Sequence, residues 1–344
     1  MKLRPEGFRV REYIIFSAVT LAVILLCICV GSVMLPLKDT VQTVLNALTG
    51  KPQPEGSLAA SIIMPVRLPR VLCVALVGAS LSLCGAAMQG LLKNPLADGS
   101  TMGVSSGALL GAIIAIAFGV SIPHLPFAGT MVMAVIFAFI SLLVILSLAY
   151  KLDSSLSTNT IILIGVIFSM FVSSVSNLII TFAGDKVKTI TFWTLGSLQG
   201  SSYQNALILF ITLAVFGGIL LKYARELNAF AVGEDNARNI GVNVRRVKLV
   251  VLICISVLIG VCVSVSGTIG FVGLVTPHML RSLTGPNHKR LLPASMFGGA
   301  VFLLLSDLIA RVLFNPRELP IGVVTSFVGS IVFVYIFYKS RKGK

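Results

Sequence analysis

Long apolar runs recur from one end of this chain to the other; residues 13–35, 127–150 and 159–183 are three of them. Inside a bilayer every backbone N–H and C=O needs an internal partner, so such runs fold as helices or as strands of a closed barrel. Barrel strands would read as short segments of alternating polarity, and that pattern is absent here. Charged residues make up only 11% of the sequence, against roughly 25% in soluble domains. An all-α polytopic membrane protein is expected, folded as a single transmembrane domain over 1–344. A span takes about 20 residues, so the length leaves room for about ten transmembrane helices after loops.

The hydropathy pattern places spans at 13–35, 62–92, 100–118, 127–150, 159–183, 203–221, 249–266, 293–313 and 320–338, with a short helix at 277–282. The polar stretch after the first span, which contains Pro52 and Pro54, reads as a loop. Residues 189–198 read as an interfacial helix, with Trp193 at headgroup depth. Segment 267–273 carries too many glycines to be helical throughout. The run 13–35 is too long for a typical cleavable signal core and lacks a clear small-x-small site. Cys27, Cys29, Cys73, Cys84, Cys254 and Cys262 all fall inside apolar segments without a CxxC pair, which fits buried small side chains better than disulfides or metal ligands.

The net charge of +15 does not call for nucleic acid, because basic side chains gather on the cytoplasmic side of membrane proteins. With ten spans and both termini inside, 19 Lys and Arg fall inside and 8 outside. The bias supports cytoplasmic termini in a cell membrane. It also puts the longest polar run in the chain's interior, 222–248, in the cytoplasm. That run reads as two short helices, 226–232 and 234–240, with Gly233 at the joint and Gly241 at the stop. It is either a solvated loop or a surface for a soluble partner.

The sequence repeats itself. VRLPRV before the second span resembles VNVRRV before the seventh, and 84–95 lines up with 266–277 at one constant offset. Five spans per copy is an odd number, so the copies, about 13–183 and 203–338, should be inverted in the membrane. Inverted repeats with helix breaks at matching places mark transporters.

Ionisable residues in apolar spans are costly and usually have a role. Asp307 and Arg311 lie four residues apart in one span, the spacing of a local ion pair. His278 fits a capping or packing role and has no ligand spacing with His124 or His288. Arg67 and Arg70 sit at an outer helix start, where an acidic partner or lipid phosphate would explain them. No phosphate-loop, HExxH or GxSxG motif occurs, so no enzyme activity is read, and ATP energy would have to come from a partner.

Five blocks carry a family resemblance: 67–108 (RLPRVLCVALVGASLSLCGAAMQGLLKNPLADGSTMGVSSGA), 192–198 (FWTLGSL), 227–244 (LNAFAVGEDNARNIGVNV), 266–293 (SGTIGFVGLVTPHMLRSLTGPNHKRLLP) and 318–329 (ELPIGVVTSFVG). In these blocks the chain resembles the FecCD-type permease subunits of binding-protein-dependent ABC importers for iron–siderophores, haem and vitamin B12. The resemblance implies a vitamin B12 importer permease-like fold and a pathway shared with a second permease subunit, identical or related. It implies two cytoplasmic ABC ATPase subunits, an extracytoplasmic substrate-binding protein and no cofactor. Of the family's substrates, an iron(III)–siderophore complex is the expected one. Docking of the binding protein would fall to Arg67, Arg70 and Arg311. Coupling to the ATPase would fall to the helices over 225–241, at Leu227, Asn228, Ala231, Gly233, Glu234, Ala237 and Gly241, and a cytoplasmic gate to Ser157 and Thr158.

Overall fold

The structure is a computed structural model that describes residues 7–31, 33, 35–53, 57–99, 103–121, 128–154 and 157–342. The expected span boundaries at Ser100 and Phe127 and the end of the basic tail lie outside those residues. The described residues form α1 (Val10–Cys29), α2 (Leu37–Thr49), α3 (Leu58–Ile62), α4 (Leu68–Leu91), α5 (Val104–Phe118), α6 (Ala128–Leu152), α7 (Thr158–Phe182) and α8 (Val187–Thr194). There follow α9 (Tyr203–Thr212), α10 (Gly218–Lys222), α11 (Ala224–Val232), α12 (Glu234–Asn239), α13 (Val244–Ser266), α14 (Val272–Thr284), α15 (His288–Val312) and α16 (Ile321–Lys342). Single π turns, Ile63–Arg67 and Leu213–Gly217, join α3 to α4 and α9 to α10 without breaking the helix. Among the described residues there is no strand, and seven helices are long and apolar enough to cross a membrane. The all-α polytopic expectation holds.

Helix α4 is the centre of the bundle, packed against α1, α9, α11, α13, α14 and α15. Its approach to two of these partners is set by backbone. A Cβ built on Gly78 would lie 2.3 Å from the Gly299 carbonyl oxygen of α15, and one on Gly299 would lie 2.3 Å from that of Gly78. Seven residues further along α4, a Cβ on Gly85 would lie 1.8 Å from the Gly273 oxygen of α14. Helices in lipid gain little from burying apolar surface against one another, so close backbone packing at small residues holds them instead.

The packing partners fall into matched pairs. Helix α4 packs on α15 as α13 packs on α6; α5 packs on α6 as α14 packs on α15; and α4 meets α14 as α13 meets α5. Leu68 and Leu91 bound α4 as Val244 and Ser266 bound α13, the correspondence that VRLPRV and VNVRRV imply. The other expected alignment, 84–95 with 266–277, is out of register: Pro95 lies in the connection after α4, whereas Pro277 lies inside α14.

Three further differences have physical causes. The stretch read as a loop after the first span contains α2, an amphipathic helix that buries Thr40 and Thr43; its polar face lowers the hydropathy without removing the helical period. Helices α13 and α15 begin about a turn earlier than read, because Asn243 and Asn287 cap polar first turns by accepting from the N–H groups of Arg246 and Lys289. Helix α14 is longer than 277–282, since Pro277 is accommodated within it. The non-helical 267–271 segment is as expected.

Overpacking typically costs about 1–3 kcal/mol, and the Gly85 contact is with backbone, which cannot rotate away. Gly85→Ala should therefore lower the melting temperature of the detergent-solubilised protein clearly. Gly218→Ala, where nothing beyond the helix's own nearby backbone lies within 4 Å of the added carbon, should not.

Candidate functional site

At one pole of the bundle, α4, α15 and the connection after α15 bring four charged groups together. Arg70 donates from Nε and a terminal nitrogen to Asp307 Oδ1 at 3.1 and 2.9 Å, and from its other terminal nitrogen to Glu318 at 2.8 Å. Arg311 Nε lies 2.9 Å from Asp307 Oδ2. The i,i+4 ion pair read from the sequence is present, and Arg70 extends it. Arg311 also donates to the Cys27 carbonyl at 3.2 Å. Arg67 donates to the carbonyls of Ile28 at 2.7 Å, Cys29 at 2.9 Å and Val33. The last carbonyls of α1 have no partner within their own helix, and two cations satisfy them.

All three arginines expected to face a docking partner are buried, at 5%, 8% and 4% exposure for Arg67, Arg70 and Arg311. Their partners come from inside the chain: Arg67 meets the α1 terminus, and Arg70 meets two carboxylates distant in sequence. Three arginines against Asp307 and Glu318 still leave the pole with one net positive charge. Glu318 keeps a quarter of its side chain open to solvent, and Arg317 beside it is exposed.

Between the poles, the two helix breaks converge. The connection after α4 contributes Leu96, Asp98 and Gly99 to a cavity of about 730 Å³, and the 267–271 break contributes Thr268, Ile269, Gly270 and Phe271. Ser105 and Ser106 of α5, Thr194 of α8 and Ser326 of α16 add hydroxyls to walls that are otherwise mainly apolar. Irregular backbone at membrane depth is tolerated where it is buried in protein or lines a cavity. Here the 193–198 turn braces it: Ser197 donates its N–H to the Ser266 carbonyl at 2.8 Å, and Thr268 donates to the Thr194 carbonyl. Trp193 is half-buried against the core behind this turn. Phe271, at φ 68°, is a non-glycine residue in the left-handed region and starts α14 on the cavity wall. The sequence marked the break but not this residue's conformation.

At the opposite pole hang α11 and α12. Gly233 joins them at φ 141°, ψ 147°, a conformation that a side chain would strain, and Gly241 ends the pair at φ 88°. Leu227, Phe230 and Ala237 anchor the pair in the bundle, fully buried. Asn228 accepts from the backbone N–H of His288 at 2.8 Å, meets His288 Nδ1 at 2.9 Å, and donates to Asn287 at 2.9 Å. Ala231 is exposed, and the large apolar side chains facing outward beside it are Val232 and Ile240, each 72% exposed. Neither stood out in the sequence, because an apolar residue in a short polar helix reads as an anchor until its direction is known.

A second cavity, about 690 Å³, brings the two expected cytoplasmic features together, with Ser157 and Thr158 on one side and Gly233 and Glu234 on the other. Ser157 caps α7 by accepting from the Thr160 N–H. Thr158 donates to Glu234 Oε1 at 3.2 Å, and Lys248 donates to Glu234 Oε2 at 2.8 Å.

A helical bundle with two broken helices lining one open cavity, and a helix pair with outward apolar side chains at one pole, defines a membrane transport subunit. The FecCD transport family model matches residues 19–339, and the chain belongs to that family. It is 42% identical to an uncharacterized ABC transporter permease protein of Bacillus subtilis, over 99% of this chain and 97% of that one. It is 36% identical to a cobalamin import system permease protein of Halobacterium salinarum, over 81% and 73%. It is 38% identical to a probable iron chelatin transport system permease protein of Helicobacter pylori, over 96% and 98%. A solved structure described as an inward-facing conformation of a metal-chelate type ABC transporter superposes with a TM-score of 0.85 at 30% identity, covering 96% of this chain and 100% of that one. The chain is thus an ABC importer permease, a multi-pass transport subunit rather than an enzyme, and it works with an ATPase and a substrate-binding protein.

Breaking a buried ion pair by removing one partner costs about 3–5 kcal/mol. Arg70→Met should therefore destabilise the protein strongly, because Glu318 loses its cation and Asp307 keeps Arg311 alone. Unchanged melting of Arg70→Met in detergent would mean that the pole does not depend on this pair.

Proposed function

We propose that the chain carries an iron(III)–siderophore complex across a bacterial inner membrane by ATP-driven alternating access, in a pathway shared with a second permease subunit. The observation that carries this reading is the cavity on which both helix breaks converge. Its apolar, hydroxyl-bearing walls suit the organic surface of a chelate. Among the described residues no group of three or more His, Cys, Asp or Glu side chains could grip a bare ion. The iron chelatin relative supports the iron reading over nearly the full length of both chains.

In this reading both termini are cytoplasmic, as the bias of 19 inner to 8 outer basic residues supports. The halves 13–183 and 203–338 are inverted repeats within one permease domain, and the matched helix pairings support that. The helices over 225–241 dock into the ATPase through Ala231, Val232 and Ile240, held in place by Leu227, Asn228, Gly233, Glu234, Ala237 and Gly241. The gate lies at Ser157 and Thr158. The binding protein docks at the opposite pole, where Arg67, Arg70 and Arg311 hold a fixed positive field. An acidic side chain of the binding protein gains Arg70 by exchanging with the partly open Glu318.

The test is uptake into proteoliposomes that hold this chain, its ATPase and its binding protein. Accumulation of a ferric siderophore should require ATP and resist competition by cobalamin and haem. ATP-dependent uptake of cobalamin or haem in its place would overturn the substrate assignment, and uptake driven by an ion gradient alone would overturn the mechanism.

A further inference from the structure

Lys248 is a buried charged residue that the transport reading leaves without a task. It lies in the first turns of α13, its side chain is 0% exposed, and its ammonium meets Glu234 Oε2 at 2.8 Å. A buried ammonium is expensive unless paired, and removing its partner leaves a penalty of several kcal/mol. Glu234 opens α12, so this contact ties α12 to α13. The other oxygen of the same carboxylate accepts the Thr158 hydroxyl at 3.2 Å, in the first turn of α7. One carboxylate therefore ties three helices together.

The neighbouring helix is held elsewhere. Asn228 fastens α11 to the start of α15 through His288 and Asn287. The two helices of the pair are thus anchored to different parts of the bundle, and Gly233 between them has a backbone that only glycine adopts freely. A push on the pair can turn α12 relative to α11 about Gly233. Whatever moves Glu234 then pulls on Thr158.

We propose that Glu234, held in place by Lys248, passes the displacement of α12 directly to the gate end of α7, with Lys248 as the positioning residue. This rests on the reading of α11–α12 as the ATPase-docking pair and adds the route by which docking reaches the gate.

The test uses the full complex of permease, ATPase and binding protein in vesicles. Asn159→Cys, next to Thr158 and exposed, is labelled with a membrane-impermeant maleimide, with and without ATP plus vanadate. Allosteric coupling free energies correspond to about 5-fold or more. In the Asn159→Cys parent the nucleotide should change the labelling rate by at least about 5-fold. Adding Lys248→Met, or the milder Thr158→Val, should shrink that response to under about 2-fold while ATP hydrolysis continues. A merely structural role would lower both together. Hydrolysis and a full labelling response in both variants would overturn the proposal, and so would a joint loss of the two in Thr158→Val. Val232→Cys tests the underlying reading separately. Its failure to crosslink to the ATPase in an otherwise unchanged complex would overturn the docking reading, whereas a crosslink with an intact response in Lys248→Met would overturn the linkage alone.

Discussion

Gly78 and Gly299 bring the backbones of α4 and α15 so close that neither position has room for a Cβ, and Gly85 and Gly273 do the same for α4 and α14. The rest of the bundle depends on these crossings. In lipid, exclusion of water cannot drive one apolar helix onto another, so contact distance and polar links must do it. Because α4 meets α15 along its length, the two helices present matching ends at both poles. One end sets Arg70 against Asp307. The other sets Gly90 against His288, with a Cβ at Gly90 falling 2.2 Å from the imidazole.

That arrangement explains where charge is tolerated. The arginines at one pole have exchanged water for helix-terminal carbonyls and two carboxylates. At the other, Lys248 meets Glu234. Between the poles the cavity walls are mainly apolar, with hydroxyls and Asp98 as their polar groups. In the proposed transport reading, such walls suit a pathway better than a storage site. The polar pairings lie at the poles, where rocking of the bundles would be felt first.

Much of this was legible in the sequence because lipid leaves few choices. The all-helical class, the break at 267–271 and the Gly233 joint all follow from hydropathy and glycine placement. What could not be read were the long-range partners. Arg67 and Arg70 read only as charges at an outer helix start, since nothing local shows that α1 ends beside them or that Asp307 and Glu318 return to them. Lys248 counted as one more inner basic residue, and only the fold places it against Glu234. Helix α2 was missed because its polar face hid it from a hydropathy reading, although its period was there. The second repeat alignment failed for a related reason: matching Gly and Pro residues say little about whether a proline interrupts a helix or is absorbed by it.

In the proposed mechanism, α11 and α12 receive force from an ATPase and pass it inward along defined contacts. The most direct measurement is a structure of the assembled complex with ATP trapped at closed ATPase subunits. Val232 and Ile240 should then be buried in the ATPase, Glu234 should still be hydrogen-bonded to Lys248, and the start of α7 should be displaced together with α12. A complex in which α12 has parted from Lys248, or has moved while α7 stays in place, would contradict it.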